Sequence, residues 1–224
     1  MRDHQQTYKI GAGPEFNKGI LQLEDFESEV TFVEAGTGAD WYVTVQPTAK
    51  FHGANGLETL TRATDTANGD LVSWQKQIAY PKSKRITVGI RIGAPDVSDT
   101  NRILFVVYLK NGTRYYIIGL WIGFATPSLQ YYNSAAGWTE ITGYAFAYSD
   151  NFRSTLELSM DIELGQYIDV FWRGKRTSLA GLAYNNSAAV TERSLVIKAT
   201  QYNNGANISC VNYDDFYVGE YNKL

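Results

Sequence analysis

Asp161 and Glu163 stand two residues apart in the run Ser159-Met160-Asp161-Ile162-Glu163. On an extended strand this spacing puts both carboxylates on one face, roughly 6.5–7 Å apart, nearer the separation used by inverting glycosidases than by retaining ones. The same alternation places Glu157, Ser159, Asp161 and Glu163 opposite Leu156, Leu158, Met160 and Ile162, so a solvated polar face accounts for all four. Other catalytic schemes lack their parts. The only histidines are His4 and His52, which leaves no HExxH motif, no paired-histidine metal site and no Ser-His base. No Gly-x-Ser-x-Gly elbow occurs, and Gly11-Ala12-Gly13-Pro14 lacks the third glycine of a nucleotide loop. The expectation is a non-enzyme, with a glycoside hydrolase or lyase as the further alternative.

Binding chemistry is better supplied. The chain has 16 tyrosines, and Tyr131-Tyr132-Asn133-Ser134-Ala135-Ala136-Gly137-Trp138 concentrates aromatic rings among small residues. Rings of this kind stack on the apolar faces of pyranoses while amides and hydroxyls direct hydrogen bonds. Tyr131, Tyr132, Asn133 and Trp138 are therefore candidate carbohydrate-binding or interface residues. The same types anchor protein interfaces, and they also suit packing between sheets.

The charge balance narrows the partners. Twenty Lys and Arg against 23 Asp and Glu give a net charge of −3, so no basic field is present to hold nucleic acid. Lys82, Lys84 and Arg85, like Arg173, Lys175 and Arg176, read as solvated edges beside turns. Cys210 is the single cysteine, which excludes an internal disulfide and a cysteine zinc site and suggests a buried inert thiol. No segment is long and apolar enough to span a bilayer, and the first 22 residues lack the apolar stretch of a secretory signal. The expected origin is cytoplasmic.

The elements that position these residues are strands. Apolar residues recur at period two, as in Ile86, Val88, Ile90 and Ile92. Residues 103–109 and 115–122 are apolar on both sides and flank Asn111-Gly112, predicting an antiparallel hairpin at the centre of a sheet, with the Asn-Gly pair supplying positive φ angles. On the order of a dozen strands, at the usual turn spacing, exceed what one open sheet accommodates, which predicts two antiparallel sheets packed face to face. Residues 1–22 differ in kind and predict an extended arm with Tyr8, Ile10 and Phe16 as its anchoring side chains. Residues 23–224 are expected to form one domain.

Leu23-Glu24-Asp25-Phe26-Glu27 and Val211-Asn212-Tyr213-Asp214-Asp215-Phe216-Tyr217-Val218 are both aromatic strand patterns carrying carboxylates, and they predict that the first and last strands lie side by side. With residues 51–60, the 103–122 hairpin and Leu156–Trp172, these phrases resemble concanavalin A-like (laminin G-like) jelly-roll domains over residues 23 to about 220. The resemblance implies an all-β two-sheet jelly roll, a face or rim able to take glycans, and a structural Ca²⁺. It carries the calcium role to Glu27, Asn55 and Asp215, with carbonyls of the 53–55 turn. Hydrolytic members place Glu-x-Asp-x-Glu along one strand, and Ser159 stands where their nucleophile would be, which counts against hydrolysis here. A lectin-like sandwich with an arm and no export signal suggests a virion surface protein, a capsid decoration or tail-associated subunit held by a protein partner or by self-association. The alternative is a carbohydrate-binding module that works outside the cell.

Overall fold

The computed structural model describes residues 20–24, 33–37, 40–51, 54–62, 70–95, 100–133, 137–144, 152–181, 185–203 and 208–221. The chain runs through β1 (Ile20–Glu24), β2 (Val33–Gly36), β3 (Asp40–Gln46), β4 (Gly56–Arg62), β5 (Leu71–Ile78), β6 (Arg85–Ala94), β7 (Thr100–Asn111) and β8 (Arg114–Gly123). It continues through β9 (Ser128–Asn133), β10 (Gly137–Glu140), β11 (Phe152–Asp161), β12 (Gln166–Trp172), β13 (Lys175–Ser178), β14 (Asn185–Ala189), β15 (Arg193–Asn203) and β16 (Ile208–Glu220). Among the described residues one 3-10 turn, Pro47–Ala49, interrupts the strands.

The described strands form two sheets of eight. Sheet A has the order β13-β12-β11-β6-β16-β4-β3 with β1 added to β16; sheet B has the order β10-β9-β8-β7-β15-β5-β2 with β14 added to β8. Every pairing is antiparallel. The expected all-β sandwich is observed, with the β7–β8 hairpin at the centre of sheet B. The core lies between the sheets, where Ile86, Val88, Ile90, Leu156, Leu158, Val211 and Val218 of sheet A meet Ile103, Phe105, Val107, Ile118, Leu120 and Ile197 of sheet B. Each such fully buried side chain contributes about 1.5–3 kcal/mol. Trp74 on β5 locks the layers by meeting Tyr213 and Phe216 edge-on, with ring centroids 5.5 and 6.3 Å away.

The first and last strands do pair, with Leu23 opposite Tyr217 and Glu24 opposite Phe216. β1 starts at Ile20, so the sheet begins within the last three residues assigned to the arm. Tyr8, Ile10, Phe16 and the calcium candidate Glu27 lie outside the described residues, as does Phe26.

β16 owes its register to a bulge. Asp214 pairs with Arg91 and Tyr217 with Gly89, which leaves two residues facing Ile90. Strict alternation from Val211 and Tyr213 would send Asp215 into the core. The bulge, with Asp215 at φ 46°, re-phases the strand so that Phe216 and Val218 point inward instead. The Asn-Gly expectation is corrected in part. At the β7–β8 turn Gly112 takes a positive φ of 90° but Asn111 does not; its Oδ1 accepts from the Thr113 and Arg114 N–H groups at 3.1 and 2.9 Å. A turn with both φ values positive sits instead at Arg173-Gly174, 52° and 76°, where Trp172 pairs with Lys175, the geometry of a type I′ hairpin.

Candidate functional site

The outer face of sheet A holds the carboxylates, and it is not the solvated surface that alternation suggests. Glu157, Ser159, Asp161 and Asp169 are all buried. Arg176, brought alongside by the β12–β13 hairpin, donates to Glu157 at 2.5 Å and to Asp169 at 2.6 Å. Tyr217 donates to the other Glu157 oxygen at 2.5 Å and Tyr221 to the other Asp169 oxygen at 3.0 Å. Tyr217 reaches this position because Gly89, its partner on β6, has no side chain; a Cβ there would lie 2.2 Å from the tyrosine ring.

Asp161 is equally occupied. Arg85 Nε donates to one of its oxygens at 3.1 Å, and the N–H groups of Glu163 and Leu164 donate to the other at 3.1 and 2.9 Å. β11 ends at Asp161, so Glu163 belongs to the following turn, where it is exposed and pairs with Lys84 at 3.0 Å. The pair that spacing set on one strand face is thus divided between a strand end and a turn. The basic clusters read as solvated edges are partly structural too, since Arg85 and Arg176 are the partners of these acids.

At the bulge Asp215 pairs with Arg91 at 3.1 Å, and Asp214 accepts from the Phe51 N–H at 2.7 Å. Among the described residues no group of three or more His, Cys, Asp or Glu is arranged to hold a metal ion. Cys210 is half-buried, and burial, reinforced by nearby Glu58, pushes its thiol pKa well up; a thiol so held is a poor nucleophile.

The outer face of sheet B has a different chemistry. Tyr131 turns into the core, meeting Tyr167 edge-on at 5.5 Å, whereas its neighbour Tyr132 and Trp138, paired across the β9–β10 hairpin, face outward. Their rings lie 5.2 Å apart, and Trp121 of β8 meets Trp138 edge-on at 5.6 Å. Trp138 lies over Gly119, where an added Cβ would come within 3.0 Å of its ring. Asn133 is half-buried at the mouth of the hairpin, opposite Gly137. Tyr131–Asn133 and Gly137–Trp138 thus lie on the strands β9 and β10.

Buried Tyr167 holds this hairpin from the opposite sheet. Its hydroxyl accepts from Gly119 N–H at 3.0 Å and reaches the carbonyls of Tyr132 and Gly119 at 3.0 and 3.2 Å, occupying the ladder position just beyond the last β8–β9 pair, Leu120 with Tyr131. Burial raises the pKa of this hydroxyl far above the ordinary tyrosine value, so it remains a neutral donor and acceptor.

Sequence reading found Tyr132 and Trp138 and missed their companions. Arg102 on β7 has its guanidinium 4.4 Å from the Trp121 ring centroid and 4.2 Å from that of Tyr202 on β15. Six residues further along β7, about 20 Å at the usual strand rise, Tyr108 stacks on Tyr115 with centroids 6.3 Å apart and planes 18° off parallel. These two tyrosines, with Gln75, Gln77, Lys110 and Val196, line a cleft of about 540 Å³. Burial raises the pKa of both hydroxyls, with Tyr202 adding to the effect at Tyr108 and Tyr108 at Tyr115. Both are hydrogen-bond donors at neutral pH. The available signal was the two-sided apolar character of residues 103–122, which left Leu104, Val106, Ile117 and Trp121 facing outward.

No known family's sequence profile matches the chain, and neither does any curated protein. Solved structures do. An endo-β-1,4-glucuronan lyase from the fungus Trichoderma reesei superposes with a TM-score of 0.58 at 13% identity, covering 90% of this chain and 96% of the other. The cellulose-induced protein Cip1 gives 0.55 at 12% identity over 89% and 97%, and lectin I-B4 from Griffonia simplicifolia gives 0.53 at 8% over 88% and 97%. The chain has the concanavalin A-like jelly-roll fold. At these identities the likeness is one of fold, and function has to be argued from the site.

Proposed function

We propose that this protein is a non-catalytic carbohydrate-binding β-sandwich that takes an extended glycan along the outer face of sheet B. The observation that carries the reading is the pair of outward aromatic clusters on one sheet face: Trp121 of β8 with Tyr132 and Trp138 of the β9–β10 hairpin at one end, Tyr108 and Tyr115 of β7 and β8 at the other. Rings so spaced offer stacking surfaces to successive pyranoses, and Gln75 and Gln77 supply the directional hydrogen bonds that such sites need. That a glucuronan lyase and a lectin share the fold supports the assignment. The non-catalytic reading is supported by Glu157, Asp161 and Asp169 of sheet A, each already engaged by an arginine and a hydroxyl or backbone partner. A panel of immobilised polysaccharides tests it: retention on at least one, lost on Trp138→Ala or Tyr108→Ala with folding intact, is expected, and indifference to both changes would sink it.

Within the same proposal the domain sits on a virion surface, held by Tyr8, Ile10 and Phe16 of the N-terminal segment. That placement is supported by the sequence pattern alone. Removing residues 1–19 is expected to abolish attachment or self-association, and an unchanged sedimentation profile overturns it.

Calcium enters as a stabilising ion, with Glu27, Asn55 and Asp215 as its ligands. The contact between Asp214 and Phe51 supports this, because it brings the last-strand carboxylates to the segment holding Asn55; an ion there would share Asp215 with Arg91. Chelator is expected to lower the melting temperature, with Ca²⁺ restoring it, because a ligand that prefers the native state stabilises it. Superimposable melting curves count against the site.

A further inference from the structure

Arg102 is set apart from three arginines of sheet A. Arg85, Arg91 and Arg176 each have a carboxylate partner, in Asp161, Asp215 and Glu157 with Asp169. Arg102 is half-buried on a central strand of sheet B, and among the described residues no carboxylate pairs with it. Its Nε is buried without a hydrogen-bond partner. Trp121 and Tyr202 approach it from the two neighbouring strands, β8 and β15. Rings in those positions stabilise the cation through their faces and fix the orientation of its planar fork, whose in-plane N–H groups match a carboxylate or sulfate.

The surrounding charge has the same sign. Lys198, opposite Val106 and Gln75, faces outward midway along the face. Arg193 lines the cleft at the far end beside Lys110. Against these stand Glu192, which Lys110 holds, and Glu140 on the edge strand β10. A positive strip therefore crosses a molecule whose net charge is −3.

We infer that the ligand of this face is an acidic glycan, a chain bearing carboxylate or sulfate groups, with Arg102 as the anion-reading residue between the aromatic platforms and Lys198 as its electrostatic support. This rests on the glycan reading given above and narrows it to a charge class. A neutral chain would meet the rings and offer the guanidinium hydroxyl oxygens but no counter-charge, whereas an anionic one supplies a charge-assisted partner as well.

Affinity electrophoresis and calorimetry on the full chain test it. The probes are polygalacturonate and polyglucuronate, each beside its carboxyl-reduced neutral counterpart, and a sulfated galactan beside its desulfated form. The expected result is binding to an acidic probe and not to its neutral twin. The affinity should be roughly tenfold weaker in Arg102→Gln, partly recovered in Arg102→Lys, and weakened by added salt. Lys198→Gln, outside the aromatic stack, should weaken acidic binding even if Arg102→Gln disturbs folding. Which acidic probe binds separates carboxylate from sulfate. Equal affinity for both members of a pair, or unchanged affinity in both Arg102→Gln and Lys198→Gln, overturns the acidic assignment and leaves the glycan reading standing. Binding to no probe at all overturns both.

Discussion

The two outer faces of the sandwich are built from the same kind of strand and solve opposite problems. On sheet A, charged groups are buried and mutually satisfied: Glu157 and Asp169 share Arg176 and take a tyrosine hydroxyl each. On sheet B, aromatic and apolar groups are left half-exposed, and an arginine is stacked without an acid. A polar face whose hydrogen bonds are complete has nothing left to offer a ligand, while an apolar face with spare donors does. Richness in carboxylates is thus a poor guide to a working site when those carboxylates already have partners.

Breaking sheet A should cost the most stability and the least binding. Arg176→Ala leaves two buried carboxylates with only hydroxyl partners, and we expect a loss of about 2–3 kcal/mol in urea unfolding. That figure is reduced from the range for a buried pair because the arginine side chain is 30% exposed. Glycan affinity should be unchanged; a large loss would mean that the two faces are not separate.

Tyr167→Phe, which touches both layers, should cost about 1–3 kcal/mol by leaving Gly119 N–H and the Tyr132 carbonyl unsatisfied, and should weaken binding by loosening the strand beneath Trp138. This residue also sets an alkaline limit. Its pKa is higher folded than unfolded, so its contribution is complete below the ordinary tyrosine value of about 10 and is lost as pH rises above that value. Stability measured against pH should fall less steeply above pH 10 in Tyr167→Phe than in the parent; parallel curves would refute the assignment.

Trp138→Ala should have the smallest effect on unfolding, on the order of 1 kcal/mol, because the ring is half-exposed. A large loss of glycan binding is expected alongside it, and that contrast is what would distinguish the faces.

The sequence told more about the sheets than about their surfaces. Period-two alternation in residues 86–92 and 156–162 identified which side chains share a face, and the aromatic phrases at both ends of the domain correctly paired β1 with β16. Alternation cannot tell whether a face is covered. Glu157 and Asp161 looked solvated because their cover comes from Arg85, Arg176 and Tyr217, which are far away in the chain or on other strands. The same limit divides the sheet B cluster. Tyr132 and Trp138 are close neighbours in sequence and stood out, whereas Arg102, Trp121 and Tyr202 meet only through the register of β7 with β8 and β15. The bulge at Asp215 left no mark beyond an acidic residue where strict alternation wanted an apolar one.

The antiparallel pairing of β1 with β16 also determines how the domain would respond to force. Ile20 faces Gly219, so both ends of the folded unit emerge at one corner, and a load applied between them would act on the terminal ladder bond by bond, like opening a zipper. A tether at the C-terminal end alone would pull on β16, which is held by β4 and β6 as well as β1, whereas one at the N-terminal end would pull on β1 through its ladder with β16.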